Sequence, residues 1–232
     1  MTASPAKKPA AAIFDWDGTM HSGFVVQSWC DYLSERAIVP ETQVAVLKDL
    51  FAQYRASLLS HEELSARAAT IYAAITFHLP PDVLKAAAQE FLRTPQASLY
   101  EFAAPLLALL KRLKIRTIVV SGAPLEIISA YVSTLEIDEV HAMEVDRASA
   151  QPVVVNVGLS HEKESVVRDL LARYRISFGL GNSISDIAIL AAARVPILVN
   201  GDANAFPDAL RRRLIPCTEY SVLDTVRSHL ED

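Results

Sequence analysis

The stretch AAAIFDWDGTM (10–20) decides how the rest of the chain is read. Its apolar run, Ala11, Ala12, Ile13 and Phe14, predicts a buried strand. The run stops at two carboxylates, Asp15 and Asp17, followed by Gly18 and Thr19. Open α/β sheets bind ligands outside the carboxyl ends of their strands. Two acids one residue apart beside a glycine turn are costly unless a cation or a proton neutralises them. The stretch therefore predicts a metal-assisted site at a strand tip. A plain Asp- and Gly-rich turn is the alternative that these residues alone leave open.

At 232 residues the chain has room for one large domain, or for a core with a smaller insert. A composition 51% hydrophobic and 21% charged is that of a globular protein with a sizeable core. A net charge of −5 and a pI near 5.7 argue against a nucleic-acid surface. The basic run Arg211, Arg212, Arg213 reads as a solvated helix face. Cys30 and Cys217 lie far apart without a C-x-x-C spacing, so neither a zinc site nor a disulfide framework is expected, and a reduced, cytoplasmic setting is. The opening MTASPAKKPA (1–10) carries two lysines and no signal-length apolar stretch, and is expected to be a disordered tail. No run reaches the roughly 18 apolar residues of a membrane span, so no membrane partner is expected.

Between 20 and 99 apolar residues recur at helical spacing: Val44, Leu47, Leu50, Phe51, Tyr54; then Leu64, Ala68, Ile71, Tyr72, Ile75; then Val83, Leu84, Ala87, Phe91. Pro80-Pro81 marks a helix boundary, with Asp82 suited to a first turn. Beyond Pro105 helices alternate with strands predicted at 116–120, 140–145, 152–157, 176–180 and 195–200, and helices are predicted at 164–174, 186–193 and 205–214. Such alternation implies a parallel sheet with right-handed crossovers. The expected layout is a Rossmann-like α/β core formed by 11–20 and 100–232, with a helical cap inserted at 21–99.

Polar groups gather where these strands end. Asp15, Asp17 and Thr19 follow the first, and Ser121 follows RTIVV, with the Gly122 and Ala123 amides at an expected helix start that would attract an anion. Asn182, Ser183 and Asp186 follow ISFGL, and Lys163 precedes the helix at 164–174. In a parallel sheet all of these tips lie along one edge. Singly each has an ordinary role, such as a cap, a turn or a surface lysine. Jointly they suit one anionic substrate.

The chain resembles the haloacid dehalogenase superfamily of hydrolases, in its branch related to phosphoserine phosphatase with a helical C1-type cap. The resemblance rests on DWDGT (15–19), VVSGAP (119–124), Lys163 and GNSISD (181–186), in the family's order. It implies a magnesium-dependent phosphatase in which Asp15 is the nucleophile and forms an aspartyl-phosphate. Asp17 would be the general acid and base, and would lend its backbone carbonyl to the metal. Ser121, the Gly122 and Ala123 amides, Thr19 and Lys163 would hold the phosphoryl group. Asn182 and Asp186 would complete a metal set with Asp15 and Asp17.

Two departures matter. The fourth motif usually begins Gly-Asp and here reads Gly181-Asn182, one negative charge fewer, which implies weaker metal binding. Phosphoserine-specific relatives carry an acid shortly after the first motif, where this chain reads His21-Ser22-Gly23-Phe24-Val25. The expected substrate is therefore a different small phosphorylated metabolite. His21, Phe24, Trp29 and Arg55 are candidate cap contacts, and His161 could orient Lys163. The alternatives are a phosphotransferase of the same mechanism, a phosphonate hydrolase using Lys48 or Lys85, and a catalytically weak binding module, which Asn182 favours. A dehalogenase is disfavoured because it needs no leaving-group acid such as Asp17.

Overall fold

Strand β1 (Ala10–Phe14) is the middle of a seven-stranded sheet of order β4-β3-β2-β1-β5-β6-β7. Ala11, Ala12, Ile13 and Phe14 are all fully buried, as a strand covered on both faces requires. Its neighbours are β2 (Arg116–Pro124) and β5 (Arg175–Gly181), both parallel to it. Strands β3 (Glu139–Asp146), β6 (Val195–Val199) and β7 (Ile215–Cys217) extend the parallel arrangement outward. The edge strand β4 (Val153–Asn156) runs antiparallel to β3. The chain grows to one side of β1 through β2 and β3, then returns to its other side at β5. That reversal places the switch-point crevice at the tips of β1 and β5. The structure, a computed structural model, describes residues 8–156 and 160–230.

Side chains alternate across β1 and feed two cores. Ala11 and Ile13 meet Ile118, Val120, Val167 and Leu170, under helix α7 (Ser160–Arg173). Ala12 and Phe14 face the opposite way, into a larger cluster that includes Val119, Ala142 and Met143. That cluster runs without interruption into four helices lying between β1 and β2: α1 (Val25–Glu35), α2 (Glu41–Arg55), α3 (His61–Thr76) and α4 (Pro81–Phe91). Trp29, Phe51, Tyr72 and Phe91 are its largest side chains there, each essentially without exposure. Helix α3 begins at a capping box, in which the Glu63 amide donates to Ser60 Oγ at 3.2 Å and the Ser60 amide to Glu63 Oε2 at 2.8 Å. Helix α4 carries Pro81 at its first position, where the missing N–H costs nothing.

The chain enters and leaves this helical block along paired segments. The Tyr100 amide donates to the Met20 carbonyl at 2.9 Å and the Ser22 amide to the Ser98 carbonyl at 3.0 Å. A polar network also ties the block to the sheet. Glu126, on α6 (Leu125–Leu135), accepts from Arg147 at 3.1 Å and from the Tyr72 hydroxyl at 3.0 Å. Tyr72 in turn accepts from Trp29 Nε1 at 3.4 Å.

Several boundaries differ from the sequence reading. Residues 1–7 of the expected tail and Val157 of the expected strand 152–157 lie outside the described residues. Lys8, Pro9 and Ala10 belong to the core: the Arg175 amide donates to the Pro9 carbonyl at 2.9 Å and Lys8 Nζ to the Leu171 carbonyl at 2.7 Å. The helix expected at 205–214 shortens to α9 (Asp208–Arg211), because Pro207 keeps the preceding residue extended. Strand β7 and helix α10 (Val222–Ser228) were not anticipated. Among the described residues no helix is long and apolar enough to cross a membrane.

Candidate active site

Asp15 leaves β1 with its amide donating to the Leu180 carbonyl of β5 at 3.0 Å, so the sheet itself fixes the position of its carboxylate. Lys163 Nζ lies 2.8 Å from Asp15 Oδ1 and 2.7 Å from Asp186 Oδ1. All three side chains are buried. Lys163 is the fourth residue of α7 and not ahead of the helix, which starts at Ser160. Asp186 closes a short 3-10 turn, and its Oδ2 accepts the amides of Asn182 at 2.9 Å and Ser183 at 3.1 Å. Gly181 permits this contact, since a Cβ there would stand 2.4 Å from Asp186 Cβ.

Two carboxylates share one ammonium in a desolvated place, with Asp17 close by. Burial lifts Asp15 to about 6, with Asp186 adding to the shift and Lys163 opposing it. Burial lifts Asp17 to about 8, against the Val25 amide, which donates to Asp17 Oδ1 at 3.0 Å. Burial alone would weaken the Lys163 ammonium, yet Asp15 and Asp186 hold its proton affinity above the ordinary lysine value.

The oxygens left over suit a hard cation. The Asn182 carboxamide presents one terminal atom 3.2 Å from the Asp17 carbonyl oxygen and 3.3 Å from Asp186 Oδ2. Thr19 Oγ1 is 3.4 Å from the same atom. Nitrogen in that place donates to both neighbours, which leaves the amide oxygen turned toward Gly18. Gly18, at φ +73°, is needed for this approach, because a Cβ on it would lie 2.2 Å from the Asn182 amide. Among the described residues no group of three or more His, Cys, Asp or Glu side chains is placed to hold a metal. The available donors are mixed: carboxylate, carboxamide and backbone carbonyl.

A cavity of about 250 Å³ opens above these groups, lined on the sheet side by Asp15, Asp17, Ser121, Gly122, Ala123, Lys163 and Asn182. Thr19 and Asp186 do not line it. Thr19 is fully buried and turns its hydroxyl toward Asp15 and Asn182, while both Asp186 oxygens are engaged by Lys163 and two amides. The Gly122 and Ala123 amides belong to the extended end of β2, since Pro124 delays α6 to Leu125. They are not at a helix start, and the Ala123 amide donates to Ser121 Oγ at 3.2 Å.

Of the candidate contacts from the helical block, only Phe24 reaches the cavity. His21 is buried where the two connecting segments meet, Trp29 lies in the helical core, Arg55 reaches Gln27 on the surface, and His161 is exposed. Lys48 pairs with Asp31 at 3.2 Å, and neither it nor Lys85 lines the cavity. The sequence reading missed His61, Glu62 and Ser65, which line the cavity from the start of α3. The Ser60–Glu63 capping box was the available signal. It fixes where α3 begins, and helical spacing then puts His61, Ser65 and Ala68 on one face.

A mostly parallel Rossmann-like sheet with acids at its switch point and a helical block above them defines a class of α/β enzymes built around a strand-tip carboxylate. The chain belongs to the haloacid dehalogenase-like hydrolase family, whose model matches residues 12–191. Among solved structures it is similar to a protein of unknown function from Bordetella pertussis Tohama I, at 18% identity and a TM-score of 0.71, covering 90% of this chain and 99% of that one. It is also similar to a substrate-bound phosphoserine phosphatase (16% identity, TM-score 0.61, 97% and 99% covered) and to cytosolic 5'-nucleotidase IIIB bound to cytidine (14%, 0.60, 96% and 85%). No curated protein matches the sequence significantly.

Proposed function

We propose that the protein is a phosphatase acting on a small phosphomonoester through a phosphorylated Asp15, with the four helices α1 to α4 serving as its cap. The observation that carries this reading is the buried Asp15 carboxylate, held 2.8 Å from Lys163 on the cavity floor beside a second acid of raised proton affinity. Asp15 attacks phosphorus, forming its own O–P bond as the bond to the leaving alcohol breaks. Asp17 gives that alkoxide its proton. Its Oδ1 is engaged by the Val25 amide, which leaves Oδ2 for the proton. The Asp17 carboxylate then takes a proton from water, which attacks phosphorus and releases Asp15.

Lys163 and Ser121 hold the phosphoryl oxygens as charge spreads over them. Asp15, the Asp17 carbonyl and Asn182 would hold a magnesium ion, with Asp186 supporting the Asn182 loop and Lys163 from behind. That ion would offset the repulsion between an anionic nucleophile and an anionic ester.

The test is phosphate release from 4-nitrophenyl phosphate with magnesium, and its loss by at least about 10³-fold in Asp15→Asn. Full activity in that variant removes Asp15 as nucleophile. Added alcohols that become phosphorylated would instead identify a phosphotransferase. The Asn182 amide, able to satisfy its neighbours as a donor, favours one further reading, a binding module of weak activity. Failure to bind either magnesium or beryllium fluoride by calorimetry would support that module.

A further inference from the structure

The cavity has two unlike ends. Its floor carries Asp15, Asp17, Ser121 and Lys163, whereas its roof is largely hydrocarbon: Phe24, Val26, Phe51, Leu64, Ala68 and Ala69. Among the described lining residues Lys163 is the only cation, and it is already shared between Asp15 and Asp186. A second anionic group on the substrate would meet Glu62 and an apolar wall, with no further lysine or arginine among the described lining residues to pair it. A sugar would bring several hydroxyls against a roof whose polar side chains are His61, Glu62 and Ser65. The volume of about 250 Å³ lies below the ~300–1,000 Å³ of ordinary ligand pockets, so the leaving group is small.

We propose that the site takes the monophosphate of a small, uncharged, largely apolar alcohol, aryl or arylmethyl in type, whose ring lies against Phe24 and His61. This rests on the phosphatase reading and deepens it. His61 is half-buried at the first turn of α3, its ring centroid 6.1 Å from that of Phe24 and 6.2 Å from that of Tyr54. Phe24 lies in turn 5.2 Å from Phe51 and 5.8 Å from Tyr54, so one aromatic wall holds the imidazole in place. Burial keeps that imidazole below the ordinary histidine value, with Asp186 opposing and Lys163 adding. It is neutral near pH 7, and offers one donor and one acceptor but no charge. A flat ring fits against aromatic side chains and gains from doing so.

The experiment compares kcat/KM for benzyl phosphate with that for O-phosphoserine, glucose 6-phosphate and glycerol 2-phosphate on the full chain with magnesium. Benzyl phosphate is expected to lead by at least about tenfold, within what apolar pocket contacts supply. His61→Arg should narrow that lead by supplying a cation for the carboxylate of phosphoserine, and Phe51→Ala should narrow it by lowering the benzyl value. Hydrolysis of all four esters with phosphoserine or the sugar preferred overturns the proposal and leaves the phosphatase reading intact. If none is hydrolysed, calorimetry with benzylphosphonate and inorganic phosphate decides. Tighter binding of the phosphonate by tenfold or more keeps the apolar-ligand assignment while the phosphatase reading falls; equal binding removes both.

Discussion

The floor and the roof of the cavity are built on opposite principles. The acids at and beneath the floor are anchored by backbone: Asp15 through a ladder bond to Leu180, Asp186 through the amides of Asn182 and Ser183, Asp17 through the amide of Val25. The roof is anchored by side chains packed on side chains, Phe24 on Phe51 and Tyr54 with His61 at the edge. Sheet register fixes where the Asp15 carboxylate stands. Helix packing fixes only a shape, which substitution can change without disturbing the charges below. The chain is free to vary its side chains at the roof far more than at the floor.

The largest effect expected in testing that division, after Asp15→Asn itself, is that of Asp17→Asn. Loss of the proposed general acid should cost about 10²–10⁴-fold in kcat. The loss should be smaller for 4-nitrophenyl phosphate, whose leaving group needs little protonation, than for an alkyl phosphate. Equal losses on both esters would make Asp17 a structural cap of α1.

Arg147→Met probes the tie between roof and sheet. It strips Glu126 of a partner where both side chains are mostly buried, 20% and 16% exposed, and should cost about 3 kcal/mol in urea unfolding. If floor and roof are separable, the catalytic rate of the remaining folded protein stays within about twofold, a modest shift by the usual scale of such effects.

The pH dependence of the metal-free protein comes next. The folded state holds Asp15 to about 6 and Asp17 to about 8, both above the ordinary carboxylate value of 3.8. Between those limits the folded protein binds more protons than the unfolded chain, so stability falls as pH rises. The loss attributable to these two acids should be complete above about pH 8 and absent below about pH 4. Thermal unfolding of the wild type against Asp17→Asn isolates the upper part of the window. Magnesium should raise the melting temperature more at pH 8 than at pH 5.

Asn182→Asp should give the smallest change. A carboxylate 3.2 Å from the Asp17 carbonyl and 3.3 Å from Asp186 adds repulsion that only a cation relieves. Magnesium affinity by calorimetry should rise about tenfold, and the metal-free melting temperature should fall. An unchanged affinity would mean that Asn182 does not touch the metal.

The floor was legible in the sequence because its signals are local. A buried apolar run that stops at Asp15 and Asp17 predicts a strand tip bearing charge, with a plain turn as its alternative, and Ser121, Lys163 and Asn182 each follow or precede a recognisable element. What stayed hidden was phase and reach. The first turn of α7 contains no apolar residue to mark it, so the spacing alone leaves Lys163 outside the helix. Strand β7 is three residues long with Pro216 inside it, too short and too irregular for an alternation signal. The antiparallel course of β4 is a tertiary outcome that periodicity does not encode. His61 belongs to the roof only because α3 starts where Ser60 caps it and turns that face downward.

The hydrogen bonds that join Trp29, Tyr72, Glu126 and Arg147 also bear on traffic. Swinging the helices outward on their two connecting segments would separate Tyr72 from Glu126, leaving a poorly hydrated acid with one neighbour fewer. On the phosphatase reading, an opening of that kind to release alcohol and phosphate carries an electrostatic cost.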